Sequence, residues 1–302
     1  MIRKLGFVGL GMMGLPMLEN LARDDRWEIL AFDNAPSPFE RLARHPAWGT
    51  RLHRAAKLED LADCHAVITM LPNSPITNSV VLGSQAQAGL IDILQPGALL
   101  IDMGSSNPAD TLRLSEALVA RSLTLLDAPV SGAVAKAANG SLAIMAGGRA
   151  EDLERARPVL GSMGTTIIPT GKVASAHAMK ALNNYVYAAG LLAASEALAI
   201  AQRMDLDPTI LTEVLNASSG RNVATETKLK QFIIPQTYNG GFALALMAKD
   251  LDTAQSLQTL AGLNARQLSL CANVWKAAQA HLPAGSDNTA IHRYLDQGCP
   301  GA

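Results

Sequence analysis

The sequence predicts an α/β chain in two parts: an N-terminal doubly wound parallel sheet over residues 1–168 and an all-helical domain over residues 169–302. Three observations carry this. A short apolar strand runs into Gly9-Leu10-Gly11-Met12-Met13-Gly14, and an amphipathic helix follows at once. Short apolar runs ending in small or polar residues then alternate with helical sequence through the first half, the βα rhythm of a doubly wound sheet. Near the middle, Val173 to Met204 reads as one unbroken helix joining the two parts, and only helical patterns come after it.

Lys4 to Val8 is the first strand. In the glycine stretch, Gly9 permits a tight turn and Gly11 lets the backbone approach a pyrophosphate. Gly14 lets helix and strand pack closely, with the phosphates at the helix N-terminus, beside Met12 and Met13. Alone, such a pattern is weak evidence; here it has a strand before it and a helix after it. This is the context of a Rossmann-type fold. Glu28 to Phe32 is the second strand and leads into Asp33, 19 residues beyond Gly14, where an acid holds the adenosine ribose. Asn34, Ala35 and Pro36 follow, and the next arginine is Arg41. A carboxylate so placed repels a ribose phosphate, so NAD is expected in preference to NADP.

Ala66 to Leu71 and Leu99 to Met103 are two further strands, running into Pro72-Asn73 and Gly104-Ser105-Ser106-Asn107-Pro108. Ligands collect at the carboxyl ends of such strands, which places Leu71, Pro72 and Ser105 beside a cofactor. The same residues also serve as ordinary turn and N-cap residues. After a strand at Leu123 to Leu126, the loop from Asp127 contains Ser131 and Gly132, whose hydroxyl and backbone N–H groups suit a carboxylate. A glycine-rich hairpin without a ligand is the alternative. Strands at Ser141 to Met145 and Thr165 to Ile168 complete the first half.

The central helix has no proline and one glycine, Gly190, inside it; about thirty residues at 1.5 Å each give roughly 45 Å. Its formal charges are Lys180, Glu196 and Arg203. A helix this apolar on every side is buried or spans a membrane. Ala, Ser, His, Asn and Tyr interrupt any run of span length, so burial in a soluble protein is expected. Lys180 is conspicuous there, because an ammonium is costly to bury. Asn184 stands one turn on, on the same face, with His177 three residues before. Two readings are open on these residues alone: a lysine that snorkels to the surface, or a proton-transfer lysine with its pKa lowered by burial.

Further helices are predicted over Pro208–Asn216, Asn222–Phe232, Phe242–Leu260, Gln267–Ala280 and Asn288–Leu295. Lys249 lies mid-helix beside Asp250, which by itself reads as a surface ion pair. His177, Tyr185 and Tyr187 read as packing residues and Lys136 as a solvated loop lysine.

The 302 residues are 49% hydrophobic and 17% charged, with a net charge of −1. That balance excludes a basic nucleic-acid surface, an acidic tail and disorder. Cys64, Cys271 and Cys299 are widely spaced, make no metal-ligand pattern, and are odd in number, which fits a reducing compartment without disulfides. The first strand begins at Lys4, which leaves no room for a signal peptide. A cytoplasmic protein with no metal, membrane or nucleic-acid partner is expected. Because the central helix is too apolar for its own domain to cover, a homodimer or homotetramer is expected as well.

GFVGLGMMGLPM, then DAPVSGAVAKAANGSLAIMAGG, then Lys180 with Asn183-Asn184, then GFALALMAKDLDTA come in a fixed order along nearly the whole chain. In that order and spacing the chain resembles the β-hydroxyacid dehydrogenases, the 3-hydroxyisobutyrate dehydrogenase family, with 6-phosphogluconate dehydrogenase as a longer relative. The resemblance implies NAD-linked hydride transfer on a small 3-hydroxy acid. It implies a substrate carboxylate on Ser131 and Gly132, Lys180 as general acid/base, and Asn184 on the substrate oxygens. It also implies Lys249, with Asp250 beside it, near nicotinamide and substrate, and Phe242 bordering the nicotinamide. Two positions depart from the family pattern: Ala133, where a second glycine is usual, which would narrow the carboxylate loop, and Gly104, where a serine is common.

The same residues serve a semialdehyde reductase, such as one acting on tartronate semialdehyde. An imine reductase is disfavoured because such relatives usually replace the helix lysine. A non-catalytic dinucleotide-binding module is disfavoured by the intact Lys180, Asn184 and Ser131-Gly132. Residues around Asn222 to Lys230 are expected at the substrate pocket, with Lys228 or Arg221 as candidates to meet a second anionic group.

Overall fold

The structure, a computed structural model, describes residues 2–85 and 87–298; Cys299 lies outside them. The chain divides into two compact units, Met1–Lys180 and Ala181–Ala302.

Besides a two-stranded ribbon that pairs Gly83–Ser84 with Gln87–Ala88, the strands of the first unit are β1 (Lys4–Val8), β2 (Glu28–Phe32), β3 (Leu52–Arg54), β4 (Ala66–Thr69) and β5 (Leu99–Asp102). They continue with β6 (Thr124–Asp127), β7 (Val130–Ser131), β8 (Leu142–Gly147) and β9 (Gly164–Gly171). They form one sheet in the order β9-β8-β6-β5-β4-β1-β2-β3, with β7 pairing β8. From β3 to β6 every pair is parallel. β8 runs antiparallel to β6 and β7, and β9 runs parallel to β8. The doubly wound parallel sheet thus ends in a reversed pair. The helix between β6 and β8 is short and does not carry the chain back across the sheet, as a parallel connection requires.

The helices of this unit are α1 (Gly14–Leu21), α2 (Ser37–Leu42), α3 (Ser74–Leu82), α4 (Leu90–Ile93), α5 (Pro108–Val119), α6 (Ala133–Ala138) and α7 (Ala150–Gly161). They cover both sheet faces. Leu5, Phe7, Ile68, Leu99 and Ile101 point into one apolar layer, and Val8, Val67, Leu100 and Leu125 into the other. A strand buried on both faces has no polar side, which is why these strands read as continuous apolar runs. Each fully buried Leu or Ile contributes about 1.5–3 kcal/mol.

α8 (Ser175–Arg203) begins in the first unit and carries the chain into the second. The expected boundary at 168 falls inside β9, which continues to Gly171. The second unit continues with α9 (Pro208–Ala217), α10 (Val223–Thr227), α11 (Leu244–Leu260), α12 (Arg266–His281) and α13 (Ile291–Asp296). Ala188, Leu191, Leu198, Leu251, Trp275 and Tyr294 are in its core. Asn222 caps α10 with its side chain, and the expected single helix to Phe232 instead widens into a π-helical turn at Leu229–Ile233.

Among the described residues α8 is the one helix long and apolar enough to cross a membrane, and 50% of its most apolar window is buried within the chain. The chain itself does not cover it all round. Met179, Leu182, Val186 and Ile200 are exposed along one stripe. Cys64 and Cys271 are buried free thiols, pushed up by burial to about 12 and about 11.

Candidate active site

The loops after β1, β4 and β5 meet. Gly9 has a φ of +99°, and a Cβ there would lie 2.4 Å from the Met70 carbonyl oxygen. A Cβ on Gly14 would lie 2.0 Å from the Gly9 carbonyl oxygen, so α1 can start this close to β1 only with glycine. Gly11 is different: a Cβ there would meet nothing within 4 Å. The space over Gly11 is open, the opening that close approach of a pyrophosphate needs. Met13, at the N-cap of α1, makes no side-chain cap, so no side chain competes at that helix start. Met12 is exposed and Met13 half-buried against the core.

Asp33 accepts the Leu10 N–H at Oδ2 (2.6 Å) and the Ala35 N–H at Oδ1 (2.7 Å). The acid expected at the ribose is therefore tied to the glycine loop itself. Leu71 lies against Gly9 and its carbonyl faces Gly104; Pro72 is exposed and Ser105 half-buried. Asn107 caps α5, accepting the Ala109 N–H, while Ser106 donates to Asp102. The Gly104 departure has a physical reason. A Cβ there would stand 2.8 Å from the Leu71 carbonyl oxygen and 3.2 Å from Asp102 Oδ1. These residues fit a dinucleotide: an open cradle at Gly11, an uncapped helix start and a carboxylate at the end of β2.

Ser131 pairs with Ala143 across the sheet, and Gly132 turns the chain into α6 with a φ of +138°. A Cβ on Gly132 would come within 2.6 Å of Lys136 Cδ. Lys136 is exposed, as expected of a solvated lysine, but stands on α6 with its stem beside Gly132. Ala133 adopts a φ of +56°, in the left-handed region. That backbone is strained for a residue with a side chain, and Ala133 is exposed. Buried Asn20 of α1 donates to the Ala137 and Ala138 carbonyls and so holds the far end of α6.

A buried polar cluster fixes the start of α8. Asp102, at the end of β5, accepts from Thr69 Oγ1 (3.0 Å), the Gly104 N–H (3.1 Å) and Ser106 Oγ (2.7 Å). Asp127, at the end of β6, accepts the Ala174 and His177 N–H groups at 2.8 and 3.0 Å. These are donors that a helix start leaves unsatisfied. His177 Nδ1 lies 2.8 Å from Thr111 Oγ1, and its Nε2 lies 3.8 Å from Asp102 Oδ2. Burial pushes the Asp127 carboxyl above its ordinary range, against the pull of His177 and the two backbone N–H groups. Three residues past His177 comes Lys180, half-buried on α8. Sequence reasoning missed Asp102 and Asp127 as anchors, although both are acids closing an apolar strand.

Within the second unit, buried Asn184 donates from Nδ2 to Asp250 Oδ2 at 2.5 Å, and Asn183 donates to Asn184 Oδ1 at 3.1 Å. Asp250 Oδ1 pairs with Lys249 Nζ at 2.9 Å. The carboxylate side chain is 3% exposed and the lysine 27%, so this is not the surface pair that spacing alone implied. Asp250 joins Asn184 to Lys249. Phe242 packs on the core of this unit, its N–H held by Asp287 Oδ2 (3.0 Å) and its carbonyl by the Asn288 N–H (2.7 Å). Asn288 Nδ2 in turn donates to Tyr187 Oη at 3.2 Å, and burial pushes the Tyr187 phenol up to about 12.

Comparison with known proteins identifies the family. Residues 4–171 match the family described as the NAD binding domain of 6-phosphogluconate dehydrogenase. Residues 174–295 match the one described as NAD-binding of NADP-dependent 3-hydroxyisobutyrate dehydrogenase. The chain is 31% identical over 301 residues to an NAD-dependent L-serine dehydrogenase of Pseudomonas aeruginosa, covering 98% of each. It is 28% identical over 295 residues to the 2-(hydroxymethyl)glutarate dehydrogenase of Eubacterium barkeri, 97% of this chain and 95% of that one. The structure of Mycobacterium tuberculosis 3-hydroxyisobutyrate dehydrogenase with L-serine superposes with a TM-score of 0.86 at 30% identity, over 98% of this chain and 99% of that one. The chain belongs to the β-hydroxyacid dehydrogenase family, the 3-hydroxyisobutyrate dehydrogenase-like oxidoreductases that act with NAD on 3-hydroxy acids.

Proposed function

We propose that this chain oxidises a small 3-hydroxyisobutyrate-like acid to its semialdehyde, with NAD rather than NADP and with Lys180 as the proton-transfer group. The observation that supports it most is the start of α8. Asp127 and His177 fix the first turn of that helix, Lys180 follows at once, and Asn184 stands one turn on with its amide already oriented by Asp250.

Gly9–Gly14 and Asp33 would hold NAD, which would supply the hydride acceptor for the carbinol carbon. The Ser131 hydroxyl and Gly132 N–H bind the substrate carboxylate. Lys180, neutral at Nζ, takes the hydroxyl proton as the carbon–oxygen double bond forms; in the reverse direction its ammonium returns that proton to the carbonyl oxygen. Asp250 takes one Nδ2 hydrogen of Asn184 and leaves the second for a substrate oxygen. Lys249, ion-paired with Asp250, is assigned by resemblance to substrate and nicotinamide binding. Leu71, Pro72, Ser105 and Phe242 border the cofactor in this reading. The enzyme works in the cytoplasm as a dimer or tetramer.

The test follows nicotinamide absorbance with 3-hydroxyisobutyrate, 3-hydroxypropionate, glycerate, serine and threonate, each with NAD and NADP. One strong NAD-linked signal is expected. Lys180→Ala should lower turnover by about 10²–10⁴-fold and leave NADH binding nearly intact. Equal loss of both would make Lys180 structural. Silence on oxidation, with turnover of an aldehyde acid in reverse, would assign a semialdehyde reductase.

A further inference from the structure

The segment between α9 and α11 carries three basic side chains in unlike environments. Arg221 pairs with Glu226, and Lys230 pairs with Glu213 at 3.0 Å. Lys228 is half-buried, and among the described residues no carboxylate lies within ion-pair distance of it. Its Nζ makes one long hydrogen bond to the Gly240 carbonyl (3.4 Å) and lies 5.1 Å from the Phe232 ring centre. An ammonium has three donors, so two remain for a ligand.

The backbone is shaped around this residue. Lys228 ends α10, and the π-helical turn begins directly after it, with the Phe232 and Ile233 N–H groups both on the Lys228 carbonyl (3.0 and 3.2 Å). Such widened turns gather at functional sites because they re-aim a side chain. Across from Nζ stands Gly240, where a Cβ would come within 3.5 Å of it and cover that side. Asp287 is the carboxylate whose charge acts on Lys228. Its oxygens are occupied by the Gly241 and Phe242 N–H groups and by the Thr289 N–H and hydroxyl. Burial outweighs that attraction and lowers the pKa of Lys228. A ligand anion would relieve this cost.

The loop that Lys228 touches belongs to the proposed site. Gly240 is two residues before Phe242, whose carbonyl is held by Asn288, the partner of Tyr187. Tyr187 follows Asn184 on α8 by three residues, about 4.5 Å along the helix axis. We infer that Lys228 binds a second carboxylate, carried on the central carbon of the substrate, and so selects branched 3-hydroxy diacids over 3-hydroxy monoacids. This rests on the proposed 3-hydroxyacid dehydrogenase activity.

The experiment compares kcat/KM for 2-(hydroxymethyl)glutarate, its distal amide and 3-hydroxyisobutyrate, using the full-length enzyme with saturating NAD. The wild-type protein should favour the diacid over both others by at least about tenfold. Lys228→Met should lower the ratio of diacid to monoacid at least about tenfold, mainly through KM, and Lys228→Arg should retain most of it. A wild-type enzyme that oxidises the monoacid as well as the diacid would overturn the inference and leave the dehydrogenase reading standing. So would a Lys228→Met variant that keeps the wild-type ratio. No turnover of any of the three, in either direction, would instead remove the reading beneath it. Should Lys228→Met fail to fold, Lys228→Gln gives the same ratio test.

Discussion

Two residues that break the family pattern behave oppositely. Gly104 sits where a side chain has no room, so the glycine is required by the Leu71 carbonyl above it. Ala133 sits where a glycine would be at ease and instead holds a φ of +56°. A left-handed alanine costs about 1–2 kcal/mol, partly offset because glycine is freer in the unfolded chain. Ala133→Gly should therefore stabilise the protein by about 0.5–1 kcal/mol, read as a higher denaturant midpoint at unchanged slope. An unchanged or lower midpoint would show that the loop does not strain Ala133. Gly9, Gly14 and Asp33 were legible in sequence because strand, glycine turn and helix follow one another at fixed spacing, whereas Asp102 and Asp127, acids at the ends of later strands, went unread. The partnership of Asp250 with Asn184 was not, since 66 residues separate them and only helix packing joins them.

At the scale of elements, β1 and β2 begin and end where the apolar runs do, and the other parallel core strands lie within a residue or two of theirs. β3 escaped notice because Leu-His-Arg has one buried side chain in three residues. The π-helical turn escaped it because widening leaves the 3.6-residue pattern nearly intact. The anchor of α8 has a consequence for pH. Asp127 has a folded pKa raised by burial above its ordinary 3.8, so the folded protein binds its proton more tightly than the unfolded chain does. Its contribution to stability is fully present below 3.8 and is lost as pH rises through the higher folded value. Asp127→Asn removes this titration while its amide oxygen still accepts the Ala174 N–H. Stability of the wild-type protein relative to this variant should fall with rising pH across that window. A flat difference in urea unfolding between about pH 4 and 7 would show that Asp127 does not titrate with folding.

For the whole molecule, the expected burial of α8 is met on one side only. Val186 is 69% exposed, Ile200 60%, Met179 48% and Leu182 45%. Spaced by three, four and fourteen residues, these side chains form one stripe along the helix. A contiguous apolar stripe on a protein surface marks an interaction site. Because the stripe runs along a helix on which Lys180 and Asn184 also stand, a second copy of the chain that covers it would stiffen the residues proposed for catalysis. Sequence showed that the helix was too apolar for one domain to cover; it could not show which side would stay open. Wild-type protein should sediment as a dimer or larger at micromolar concentration. Val186→Glu with Ile200→Glu should shift it to monomer, because two buried carboxylates facing their symmetry mates cannot both keep their hydration. The turnover of that variant should fall and recover in part at high protein concentration. A wild-type monomer, or a variant that keeps the assembly state, would mean that the stripe is not the interface.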